Sequence, residues 1–130
     1  ILSSLIDEQL KKGIAASRIV LAGFSQGGAI ALYQGIRQSQ ALAGIIALSS
    51  YLPLPDSLDE KTPAHLNGMP VFIGHGNQDP IVPIELGLFT RDFLLGLKMD
   101  VQFQMYPMGH SVSFDEITDV GTWLKKILPH

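Results

Sequence analysis

Short apolar runs interleaved with helical patterns constrain this chain more than any other feature. The runs are Arg18–Ala22, Gly44–Ser49, Val71–Gly74 and Val101–Tyr106. The first has no polar alternation, as expected of a parallel strand buried on both faces, and the second also reads as buried. Around them lie helical patterns. Ile1, Leu2, Leu5, Ile6 and Leu10 share a face, with Lys11 and Lys12 in the last turn and Gly13 as a stop. A helix is predicted from about Gln26 to Gln38. Pro83 suits the first turn of another, with Leu86, Phe89, Phe93 and Leu97 on one side. Ser113-Phe114-Asp115-Glu116 is a capping-box signature opening the last helix, whose Phe114, Ile117, Gly121, Leu124 and Leu128 are expected to pack in the core. Tyr51 to Gly68, with Pro53, Pro55 and Pro63, reads as a long loop. Strands alternating with helices predict an α/β domain over residues 1–130, a parallel sheet with helices on both faces. Right-handed crossovers then place ligand chemistry beyond the carboxyl ends of the strands.

Composition excludes several classes. The 130 residues carry a formal net charge of −3 and no basic run, which argues against nucleic acid and anionic membrane as partners. Cysteine is absent, so disulfide, thiolate and cysteine–zinc chemistry are excluded. No apolar stretch approaches the ~18 residues of a transmembrane helix. The chain opens on Ile1 rather than Met, so targeting is not readable, and a cytoplasmic location is only a default expectation.

Between the first strand and the helix after it stands Gly23-Phe24-Ser25-Gln26-Gly27-Gly28. A serine on a sharp strand-to-helix turn projects from the top of a sheet. The Gln26 N–H and the positive helix end then face a developing oxyanion. Gly23 and Gly27 are expected where a Cβ would clash. The bare pattern arises by chance in about one such chain in ten, and a glycine-rich phosphate loop is the alternative, so a base is required.

A serine nucleophile needs a histidine base, and the histidine needs an orienting acid. On sheets with this turn the chain order is Ser, acid, His. Asp79 follows the third strand and His110 the fourth, placing both at the same sheet edge as Ser25. Asp100 starts a strand, Asp92 lies inside a helix, and Asp115 and Asp119 sit in early turns of the last helix, where carboxylates offset the dipole. His65 lies in the polar loop and His130 ends the chain. His75 is the rival base. It precedes Asp79, however, and its glycine neighbours favour a structural histidine that hydrogen-bonds nearby loops. No histidine spacing suits a metal; His75 with Asp79 is the only near cluster.

Gly23-Phe24-Ser25-Gln26-Gly27-Gly28-Ala29, His75-Gly76-x-x-Asp79-x-x-Val82-Pro83 and Gly109-His110-Ser111 resemble the phospholipase/carboxylesterase family of α/β-hydrolases. That family includes acyl-protein thioesterases, lysophospholipases and small carboxylesterases. The resemblance runs over essentially the whole chain, and the glutamine after the serine distinguishes the group from many lipases. It implies a parallel-sheet α/β-hydrolase fold, with Ser25 as nucleophile, Asp79 as orienting acid, His110 as general base and Gln26 as an oxyanion N–H. No cofactor is implied. Leu48-Ser49-Ser50-Tyr51-Leu52-Pro53 is similar to a Leu-Ser-Gly-Trp-Leu-Pro-like segment near the family's acyl site; Ser50 and Tyr51 depart from it. Tyr51, Leu52 and Val82 are the expected substrate contacts, although core packing is an open alternative for Tyr51 and Leu52.

The implied substrate is a small ester or thioester with an apolar acyl group. The resemblance also implies an N-terminal half whose His-Gly-rich loop supplies a second oxyanion donor. The expectation is therefore a C-terminal portion, of about four strands flanked by helices, of a larger enzyme. Its first strand would have an open edge, covered by a further segment or by association with a second copy. Loss of one oxyanion donor costs about 100- to 1000-fold in rate, so a catalytically impaired fragment or binding module is the alternative. A peptidase or acyltransferase on the same scaffold is another.

Overall fold

The computed structural model describes residues 1–55 and 64–128. In chain order the elements are α1 (Leu2–Lys11), β1 (Val20–Phe24), α2 (Gln26–Arg37), β2 (Gly44–Leu48), β3 (Pro70–Gly76), α3 (Ile84–Gly96), β4 (Asp100–Tyr106) and α4 (Phe114–Ile127). The strands form a parallel sheet in the order β1-β2-β3-β4. Phe24 lies opposite Leu48 and Leu48 opposite Gly74, while β3 and β4 run on together to Gly76 and Tyr106. All four strands therefore deliver their following loops to one edge.

Side chains alternate across the sheet, as the two-residue strand period requires. Leu21, Ile45, Ala47, Val71 and Ile73 face a core completed by Ile6 of α1, Leu32 and Ile36 of α2 and Leu94 of α3. Ile46 and Phe72 face the other way, against Trp123, with Val20, Leu48, Val120, Leu124 and Ile127 around them. Three helices thus cover one face and α4 the other. Phe72 and Trp123 meet edge to face with ring centroids 6.0 Å apart. Gly44 makes room for that indole; a Cβ there would lie 2.8 Å from Trp123 Cη2. None of the described helices is long and apolar enough to cross a membrane.

Several local expectations shift. Ala16–Arg18 winds into a 3₁₀ turn, so β1 starts at Val20 and ends at Phe24, and Ser25 follows the strand directly. β1 is not buried on both faces: Ala22 and Phe24 are exposed, because β1 has a sheet neighbour on one side only among the described residues. On α4, Phe114 and Ile117 are 82% and 59% exposed. Leu124 packs as expected, but the stripe that meets the sheet continues through Glu116, Val120, Trp123 and Ile127, an adjacent row of the same helix. On α3 the buried row is Gly87, Thr90 and Leu94, leaving Leu86 and Phe89 exposed. Part of the Tyr51–Gly68 loop, 56–63, lies outside the described residues. Ala64–Leu66 forms a 3₁₀ turn with Leu66 buried.

Candidate active site

Ser25 sits between β1 and α2 at φ 57°, ψ −121°. Positive φ is uncommon for a residue with a Cβ and holds strain of about 1–3 kcal/mol. The surroundings fix it. The Ser25 N–H donates to the Leu48 carbonyl at 2.8 Å, and its own carbonyl accepts from Gly28 and Ala29 at 3.0 and 3.2 Å. The turn is tight at Gly23, where a Cβ would overlap the Gly27 backbone. It is also tight at Gly28, where a Cβ would lie 2.7 Å from the Ser50 side chain. Gly27 corrects the sequence expectation, since a Cβ there would have open space.

Three side chains from three loops meet at this edge. His110 Nε2 lies 3.0 Å from Ser25 Oγ, and His110 Nδ1 lies 2.7 Å from Asp79 Oδ2. A carboxylate only accepts, so Nδ1 carries the proton, and in the neutral ring Nε2 accepts from the serine hydroxyl. Phe24 packs against the His110 ring at 4.8 Å between centroids. Asp79 Oδ1 accepts from the Ile81 and Val82 amides, both at 2.8 Å. Burial alone would push the Asp79 carboxyl up. The hydrogen bond from His110, the two amides and the nearby His110 charge outweigh it and hold the carboxyl below its ordinary value. An ionised acid results, able to orient the ring and stabilise its cation.

His75 is fully buried, and its Nε2 donates to the Val82 carbonyl at 2.8 Å. Val82 is thereby held at its N–H by Asp79 and at its C=O by His75, which fixes the turn carrying Asp79. His75 is thus a loop-holding histidine and has no contact with Ser25 among those described. Asp119 accepts from the Tyr106 hydroxyl at 2.7 Å, and burial with that bond pushes the phenol well above its ordinary value. Among the described residues no three His, Cys, Asp or Glu side chains converge as a metal-ligand set.

Beside the serine lies a groove of about 240 Å³ lined by Gln26, Ala29, Ile30, Tyr33, Tyr51 and Pro53. Of the expected contacts, Tyr51 lines it. Leu52 is 6% exposed and packs in the main core, its N–H donating to Thr90 Oγ1, and buried Val82 serves the Asp79 turn. Neither is among the groove's lining residues. Ile30 and Tyr33 were missed, yet they carry a readable signal. They are apolar residues on the face of α2 turned away from Leu32 and Ile36, and both are exposed. Arg37 stacks over the Tyr33 ring at 3.7 Å.

Residues 1–128 match the family described as phospholipase/carboxylesterase. The chain is 44% identical over 128 residues to acyl-protein thioesterase 1 of Neurospora crassa, covering 96% of this chain and 52% of that protein. It is 43% identical to acyl-protein thioesterase 1 of Gibberella zeae, covering 97% of this chain and 55% of that protein. The crystal structure of Arabidopsis thaliana SOBER1 superposes with a TM-score of 0.89 at 29% identity, covering 95% of this chain and 60% of that one. The chain spans about half the length of the curated relatives it matches. Its fold is that of the α/β-hydrolases, with four parallel strands and flanking helices. With the match running from the first residue to 128, the chain belongs to the phospholipase/carboxylesterase family.

Proposed function

We propose that this chain carries the nucleophile, base and acid of a serine hydrolase that cleaves carboxylic esters or thioesters. One observation carries the reading: the continuous hydrogen-bond chain from Ser25 Oγ through His110 to Asp79, at 3.0 and 2.7 Å. Ser25 attacks the acyl carbon as His110 Nε2 takes the hydroxyl proton. Asp79 holds the Nδ1–H tautomer and stabilises the imidazolium. His110 then protonates the leaving alcohol or thiol, which departs as the carbonyl re-forms. Water, deprotonated by the same nitrogen, hydrolyses the acyl-Ser25 ester. The first N–H groups of α2 lack intrahelical acceptors, and Gln26 offers one of them to the oxyanion.

The groove favours an apolar acyl group. Ala29, Ile30, Tyr33, Tyr51 and Pro53 flank Gln26, the residue after the nucleophile. A chain lying there leaves water against protein at about 0.8 kcal/mol per methylene. Relatives that carry the name acyl-protein thioesterase favour a thioester over an oxyester. The unit acts as part of a longer polypeptide in this reading, with the second oxyanion donor supplied from outside residues 1–130.

The test uses the complete protein. A fluorophosphonate probe labels Ser25, and Ser25→Ala is unlabelled and loses at least about 10,000-fold in kcat on acyl thioesters. Labelling at another residue, or a Ser25→Ala rate near wild type, rejects the proposal.

A further inference from the structure

Two adjacent serines at the end of β2 reach to different parts of the site. Ser50 Oγ donates to the Ser25 carbonyl at 2.7 Å, and Ser49 Oγ donates to the Ser111 carbonyl at 3.3 Å. Both are buried, at 0% and 3% exposure for Ser49 and Ser50. Ser49 leaves the strand at φ 51°, in the left-handed region where a residue with a Cβ is rarely found. Its N–H nevertheless stays in the sheet, donating to the Gly74 carbonyl at 2.8 Å. The Ser25 backbone is thus held from β2 on both sides, its N–H by the Leu48 carbonyl and its C=O by the Ser50 hydroxyl. The neighbour of His110 is held from β2 as well.

We propose that Ser49 and Ser50 are positioning residues that fix the nucleophile's backbone relative to the loop bearing the base, so that the Ser25–His110 hydrogen bond is formed before substrate arrives. The Ser25 carbonyl already accepts two helix N–H groups, so helix geometry does not require the Ser50 bond. It restrains the elbow, the strand-to-helix turn at Ser25, sideways toward the end of β2. Ser49 supplies the matching restraint on the other partner. A small displacement between nucleophile and base is costly, because attack and proton transfer need both at hydrogen-bond distance. A backbone conformation disfavoured at Ser49 persists only where surrounding contacts over-determine it, and strain of this kind clusters at functional sites.

This inference rests on the proposed roles of Ser25 and His110. Its test measures kcat and KM of the complete protein on a soluble p-nitrophenyl ester, with kcat expressed per site titrated by a fluorophosphonate. Ser50→Ala lowers kcat per titrated site about fivefold to tenfold, with KM changed less than about twofold. Ser49→Gly removes the hydroxyl while suiting the left-handed backbone, so kcat per site falls similarly without a lower melting temperature. Rates per titrated site within twofold of wild type in both variants overturn the proposal, as does a rate loss matched by loss of titratable sites. Ser25→Ala separates the two layers. If it is inert while the Ser49 and Ser50 variants match wild type, only the positioning role falls. If it retains activity, both readings fall.

Discussion

Glu116 and Asp79 are both buried carboxyls, and their environments push them in opposite directions. Glu116 opens α4 with half a capping box: its N–H donates to Ser113 Oγ at 3.1 Å. The reciprocal half is missing, because the Glu116 side chain turns inward. Both its oxygens are buried without a hydrogen-bond partner among the described residues, and a Cβ at Gly74 would overlap one of them. Burial, with Asp119 adding repulsion and Ser113 opposing both, raises the carboxyl from 4.5 to about 7. Below the unfolded value both states are protonated and the group contributes nothing. Between the two values the native state keeps a proton that the unfolded chain releases, so stability falls as pH rises, and above about 7 the penalty is complete. The penalty is on the order of 3 kcal/mol. Glu116→Gln therefore gains stability over wild type at pH 8 and little at pH 5, as read by urea denaturation at each pH. Parallel pH dependences in the two proteins would contradict this. Asp79 has the reverse sign. Its lowered carboxyl contributes stability above the ordinary aspartate value, lost as pH falls through the folded value.

At the scale of elements, the elbow and α4 show how far patterns reach. The glycines of the elbow are legible as a group, but their jobs are not. Gly23 abuts the Gly27 backbone and Gly28 abuts Ser50, across 22 residues of sequence, whereas Gly27 faces open space. Alanine substitutions should separate them. Gly23→Ala abolishes stable folding or labelling of Ser25, since backbone cannot step aside. Gly28→Ala costs about 1–3 kcal/mol through overpacking. Gly27→Ala is neutral or gains up to about 0.5 kcal/mol from helix propensity. Equal melting temperatures for the Gly27 and Gly28 variants would refute that order. On α4, helical periodicity found the helix and placed Leu124 against the sheet, but misplaced Phe114 and Ile117. Phe114 and Ile117 look like core residues, yet the stripe on the sheet includes Glu116 and Trp123. A one-row rotation separates the two stripes, and a buried glutamate masks the true one. Trp123→Ala should cost about 3–5 kcal/mol, while Ile117→Ala stays within about 0.5. Thermal unfolding measures both.

For the whole molecule, the site exists only because separate loops meet. Ser25, Asp79 and His110 follow β1, β3 and β4, and parallel pairing brings those strand ends to one edge. No local segment holds two of the three hydrogen-bonded partners, so labelling of Ser25 should vanish with the cooperative core. Trp123, the one tryptophan in the sequence, reports on that core from the α4 face. Urea titrations followed by Trp123 emission and by fluorophosphonate labelling are expected to share a midpoint. A labelling midpoint clearly below the fluorescence midpoint would show the loops yielding first.

The sequence by itself determined the α/β class, the strand-to-helix turn at Ser25 and the chain order of its partners, because strand runs, glycine turns and crossover handedness are local or nearly so. Tertiary structure decided the rest. It set which row of α4 meets the sheet. It left Tyr51 on the groove while drawing Leu52 and Val82 into packing, and it put Ser49 and Ser50 behind the elbow. Each of these depends on which surface arrives opposite a residue from far along the chain, and side-chain periodicity carries no record of that partner.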